Sequence, residues 1–151
     1  IEETLLFVKN KGWQINLELK KVSAPLKTFP LVEKVIKIID DLKVDAGQVA
    51  ISSFYHPYLD TARHLCPEIE VNALIGGGPS GRNNRGNFVF QTYNANADYI
   101  DHGQVIRALE HGCTVNLYTV NDPDMMQTCI DWGVSSLITD YPQTLRKILN
   151  K

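Results

Sequence analysis

The sequence predicts an α/β protein built on a parallel sheet. Strand-like and helix-like segments alternate along all 151 residues, and the strand segments are short runs rich in Val, Ile and Leu. Gly12, Gly47, Gly112 and Gly133 each fall between a helical segment and the next strand, where a left-handed C-terminal cap is expected. Buried parallel strands joined by helices produce this pattern.

The elements follow in order. A helix over Glu2–Lys11 ends at Gly12 and leads into the strand "QINLELK". In "FPLVEKVIKIIDDLKV" the apolar residues Val32, Val35, Ile36 and Ile39 mark a helix face, with a break at Asp45-Ala46-Gly47. The strand "QVAISSF", a helix from Pro57 to Cys66 and the strand "IEVNALI" come next. A polar loop, "GGGPSGRNNRG", leads to a short strand around Phe88–Thr92. A helix near Asp98–Glu110 stops at His111-Gly112 and is followed by the strand "CTVNLYTV". In "DPDMMQTCIDW", Asp122 serves as the cap and Pro123 fits the first turn. The strand "SSLITD" and the helix "PQTLRKILN" close the chain. This makes about six β/α units. An eight-unit barrel takes about 250 residues, so the chain would hold the last six units of an incomplete (β/α) barrel of TIM type. An open doubly wound sheet gives the same alternation, and periodicity does not separate the two.

A hydrophobic content of 44% is enough for one domain to bury a core of its own. A formal charge of −2, without long blocks of one sign, gives no footprint for nucleic acid. No apolar run reaches the length of a membrane span. Cys66, Cys113 and Cys129 are odd in number and lack C-x-x-C spacing, which argues against a disulfide framework or a cysteine zinc site; buried thiols are expected. The chain opens at Ile1 inside a helical pattern, so these residues are expected to be the later part of a longer protein.

In either architecture a site forms at the carboxyl ends of the strands. That rule selects Glu18 and Lys20; Ser52, Ser53 and Phe54; the loop after Ile75; Gln91; Tyr118, Asn121 and Asp122; and Thr139 and Asp140. In "INLELK" the side chains of Asn16, Glu18 and Lys20 share one strand face, opposite Ile15, Leu17 and Leu19. An acid and a base two residues apart are either a surface ion pair or part of a site. Asp122 is also explained as a helix cap, and Asp140 as a turn residue before Pro142. Gly76 to Gly81 match G-x-G-x-x-G, but Pro79 and "RNNRGN" oppose the helix a dinucleotide fingerprint needs. A loop over the site, with Arg82 and Arg85 near an anion, is the better expectation. His56, His64, His102 and His111 form no zinc spacing.

Taken in order, "INLELK", "ISSFYHPYL", "VNLYTVND" and "GVSSLITDYP" resemble the later portion of glycerophosphodiester phosphodiesterases, (β/α)8 barrels related to phosphatidylinositol phospholipases. The resemblance runs along nearly the whole chain. It implies that Glu18 helps bind a divalent cation, Ca2+ or Mg2+, and that Lys20 lies near the phosphate. Tyr118, where the family often has Trp, and Phe54 would pack against the glycerol or alcohol moiety. A hard cation takes carboxylate oxygens, and cation and ammonium together stabilise a phosphodiester anion.

The family's His-Arg pair, its remaining metal carboxylates and its second histidine match no segment here. The expectation is therefore a metal-dependent hydrolase of small glycerophosphodiesters as the complete protein, with the acid/base histidines upstream and this chain alone inactive. The missing barrel segment would come from the same protein or another chain. The alternative is a non-catalytic binding or scaffold module on the same fold.

Overall fold

Period-two alternation gives each strand a mainly apolar face, which the helices cover, and a second face that carries most of its polar residues. The computed structural model describes residues 1–24, 26, 28–76 and 88–150, in two compact units, Ile1–Ala73 and Leu74–Lys151.

The first unit contains α1 (Glu2–Lys11), β1 (Ile15–Glu18), α2 (Leu31–Asp41), β2 (Val49–Ser53), α3 (Pro57–Leu65) and the part of β3 (Glu70–Ile75) up to Ala73. The strands are parallel and in chain order. Leu17 pairs with Ile51 and Ile51 with Val71, one apolar row across three strands. Val32, Val35 and Ile39 are buried on α2, as are Leu59 and Ala62 on α3. Fully burying an Ile or Leu contributes about 1.5–3 kcal/mol, so these rows hold the helices to the sheet. The next level up carries Glu18, Ser52 and Asn72 on the opposite, polar face.

The second unit holds the end of β3, then β4 (Thr92–Asn96), α4 (His102–Glu110), β5 (Thr114–Tyr118), α5 (Pro123–Asp131), β6 (Ser136–Leu137) and α6 (Pro142–Leu149). The strands β4, β5 and β6 are again parallel and in chain order. Ala95, Leu117 and Leu137 share an apolar row, and Asn94, Asn116 and Ser136 a polar one. Asn116 Nδ2 donates to Asn94 Oδ1 at 2.9 Å, satisfying that row from within. Asp122 caps α5, accepting from the backbone N–H groups of Asp124 and Met125, with Pro123 in the first turn.

Three expectations are corrected. The strand expected around Phe88–Thr92 begins at Thr92. The β-forming "FVF" is drawn off because Phe90 is buried with its N–H on Tyr93 Oη, while in the less promising "TYNAN" Asn94 accepts from Asn116 of β5 and Asn96 accepts the N–H of Asp98. Helix α4 starts at His102 rather than Asp98, because Asp101 and Gln104 close a capping box there. Finally, α2 ends at Asp41, and Lys43 (φ 51°) takes the left-handed position expected of Gly47. The N–H of Val44 returns to Ile39 O at 3.0 Å and turns the buried Val44 inward. Cys113 and Cys129 are buried as expected, whereas Cys66 is half-buried.

Candidate active site

In the first unit the strand ends are tied together by backbone and serine. The N–H of Leu19 donates to Ser52 O at 2.8 Å, extending the β1–β2 pairing one residue past Glu18. Ser53 Oγ donates to Leu19 O at 2.6 Å and accepts the N–H of Tyr55 at 3.0 Å. These bonds fix the chain on either side of Phe54, which is half-buried.

Glu18 and Lys20, two residues apart, are brought together: Lys20 Nζ lies 3.7 Å from Glu18 Oε1. The Lys20 side chain is 83% exposed and that of Glu18 39%, so the acid sits deeper than the base. Glu18 is a hard oxygen donor of the kind Ca2+ or Mg2+ takes. Among the described residues no group of three or more His, Cys, Asp or Glu gathers to hold an ion, so Glu18 could supply only one of the about six or more oxygens such an ion takes.

Lys21, next in the chain to Lys20, belongs to an aromatic group that the strand-end rule does not select. Lys21 Nζ sits 4.6 Å from the Tyr55 ring centre, Tyr55 packs edge-on against Tyr58 at 4.9 Å, and Tyr58 Oη accepts the N–H of Val22. The signal was present in "SSFYHPY", three aromatics following a strand end. Asn72 was missed as well, although it is the one buried polar residue of "EVNALI".

In the second unit, Tyr118 stands at the end of β5 opposite Asn96, and its hydroxyl donates to Ile75 O at 2.8 Å. Asn121 Nδ2 donates to Asp140 Oδ2 at 2.8 Å, and its Oδ1 accepts from the N–H of Asp140 and from Thr139 Oγ1. Thr139 and Asp140 are thus held as a turn, and Asp122 is engaged as the α5 cap. Gln91 belongs elsewhere: it precedes β4 and donates to Gly112 O, at the amino end of the strands. His56 occupies the start of α3. Beyond Gly76, the glycine loop with Arg82 and Arg85 lies outside the described residues.

A cavity of about 330 Å³ in this unit is lined by Ile75, Phe88, Tyr93, Tyr99, Arg107 and His111, among others. It borders the apolar face of β4 and β5 beside α4 and reaches Asn96 at the end of β4. Among the described residues no helix is long and apolar enough to cross a membrane.

Sequential parallel strands, helices on the apolar face and polar groups at the strand carboxyl ends define a parallel α/β protein of the barrel class. The chain belongs to the glycerophosphoryl diester phosphodiesterase family, whose model matches residues 2–144. It is 27% identical over 158 residues to a glycerophosphodiester phosphodiesterase of Caldanaerobacter subterraneus, an alignment covering 99% of this chain and 60% of that protein. A crystal structure of a glycerophosphodiester phosphodiesterase from Parabacteroides distasonis superposes with a TM-score of 0.81 at 25% identity, over 99% of this chain and 63% of the other. An Oleispira antarctica phosphodiesterase, solved with the product sn-glycerol-3-phosphate, shares the fold with a TM-score of 0.80 at 21% identity, over 100% and 61%. The fold class is that of the (β/α) barrels to which these structures belong. The doubly wound alternative is set aside. The chain spans 60% to 63% of the length of these relatives.

Proposed function

We propose that the complete protein hydrolyses glycerophosphodiesters to an alcohol and glycerol 3-phosphate. The observation that carries this reading is the Glu18–Lys20 pair, 3.7 Å apart where β1 ends, in a chain of this family. The product named for the Oleispira antarctica enzyme is the one this reaction would release.

Glu18 is assigned to a divalent cation, Ca2+ or Mg2+, with the remaining ligands and the acid/base histidines supplied outside these residues. A bound cation would polarise the phosphoryl group and favour attack at phosphorus. Cation and ammonium compete for the Glu18 carboxylate. With a cation on that carboxylate, the exposed ammonium of Lys20 would be free to hold a phosphoryl oxygen as negative charge builds there. Phe54 offers an apolar wall to the glycerol or alcohol portion. Tyr118 is assigned the same role; its hydroxyl is engaged by Ile75 O, so its ring is what it presents.

Release of glycerol 3-phosphate from a panel of glycerophosphodiesters, with Ca2+ or Mg2+ and with a chelator, tests this. The complete protein is expected to be active and to lose activity on chelation, and the 151-residue chain alone to be inactive. A complete protein that turns over none of the diesters contradicts the reading and favours a binding module on the same fold.

A further inference from the structure

Glu18, Ser52 and Asn72 occupy one register level on β1, β2 and β3, so their side chains leave the same face of the sheet. Ser52 is fully buried and Asn72 is 5% exposed, yet neither Ser52 Oγ nor Asn72 Oδ1 has a hydrogen-bond partner among the described residues. Buried polar atoms in folded proteins are overwhelmingly paired, and leaving one unpaired is costly. The polar row of the second unit shows the ordinary solution, since Asn94 and Asn116 satisfy each other. The row in the first unit leaves Ser52 Oγ and Asn72 Oδ1 unpaired among the described residues.

The chemistry of the three oxygens narrows what could satisfy them. Asn72 Oδ1 only accepts, the Glu18 carboxylate only accepts, and Ser52 Oγ does either. An anion would meet two acceptors, whereas a positive, proton-rich guest meets one negative charge and two acceptors. Neighbouring strands are about 4.8 Å apart, so Glu18 and Asn72 stand on backbones about 10 Å apart. A cation takes its oxygen ligands at about 2.0–2.6 Å, so one ion does not reach all three directly. Its water ligands span the remainder. Lys20 contacts the Glu18 oxygen from an 83% exposed side chain, on the solvent side of the two buried atoms.

We propose that Ser52 and Asn72 form the floor of the cation site headed by Glu18, accepting hydrogen bonds from water molecules of the cation's hydration shell. They are positioning residues. The inference rests on the reading of Glu18 as a metal ligand, and extends it to two residues that hold the ion without touching it.

The test uses the complete protein with Ser52→Ala, Ser52→Thr and Asn72→Leu. Ca2+ and Mg2+ affinities are measured by titration calorimetry, and melting temperature without added metal. Ser52→Ala and Asn72→Leu are each expected to weaken cation binding about 10–100-fold, as loss of a supporting partner does, while melting no lower than the parent. Ser52→Thr, which keeps the hydroxyl, is expected to restore affinity. Unchanged cation affinity in both variants overturns the inference and leaves the role of Glu18 standing. Metal-free variants that melt well below the parent, or fail to fold, also overturn it, because the two atoms would then have protein partners. If glycerol 3-phosphate affinity falls instead while cation affinity holds, the row seats a substrate hydroxyl and the inference fails. A parent protein that binds neither cation overturns both this inference and the role of Glu18.

Discussion

The ammonium of Lys20 lies 3.7 Å from the carboxylate of Glu18 at the end of β1, with 83% of one side chain and 39% of the other exposed. Exposed pairs of this kind contribute about 0–1 kcal/mol to folding. Stability therefore does not account for an acid and a base at this position. Glu18→Gln and Lys20→Met should each change the unfolding free energy by less than about 1 kcal/mol, read from urea denaturation. A loss of several kcal/mol would show the pair to be a structural clamp.

Asn121 joins the end of β5 to the turn after β6 through its bonds to Thr139 and Asp140. Each such bond contributes about 0.5–1.5 kcal/mol net when well made, and less where water competes. Asn121→Ala should cost about 1–2 kcal/mol and deprotect the Asp140 amide in hydrogen exchange. Retained protection would show that the turn holds itself.

Gly76 and Gly112 both have positive φ, 89° and 77°, but their surroundings differ. A Cβ on Gly76 would lie 3.0 Å from Asn96 Cβ and 3.1 Å from its backbone nitrogen, whereas one on Gly112 meets nothing within 4 Å. Both alanine variants bear a left-handed penalty of about 1–2 kcal/mol. Gly76→Ala should lose a further ~1–3 kcal/mol through crowding. Equal losses in paired urea melts would show that Asn96 yields without cost.

Burial raises the pKa of the Cys129 thiol above its ordinary value, and that of Cys113 likewise. The folded state thus keeps a proton that the unfolded chain gives up. The resulting stability is full below the unfolded thiol pKa and is lost as pH rises toward the folded one. Unfolding free energy should therefore decline through alkaline pH, and Cys129→Ala should flatten the decline. A variant with the parent's slope would assign the loss to other groups.

The parallel α/β class was legible because Val, Ile and Leu runs alternate with capped helices, and the Asp122-Pro123 start of α5 could be read residue by residue. The edges of β4 and α2 were not. Asn94, a poor strand former, is held in β4 by the bond it accepts from Asn116 of β5, and that partnership is invisible along the chain. Lys43 takes a left-handed conformation because Val44 is drawn into the core, where a glycine further on had been the local signal. That Glu18 and Lys20 share a strand face was legible from period-two spacing, whereas their assignment to a site came from the family resemblance. Ser52 and Asn72 were not legible as one level, since strand register depends on pairing between segments twenty residues apart in sequence.

The central claim is that Glu18 and Lys20 serve phosphodiester hydrolysis rather than folding. Glycerol 3-phosphate release by the complete protein, compared with its Glu18→Gln and Lys20→Met variants at matched melting temperature, tests it most directly. The account predicts that each variant loses activity about 100-fold or more while remaining folded. Variants that keep parental rates at saturating cation and substrate would contradict it.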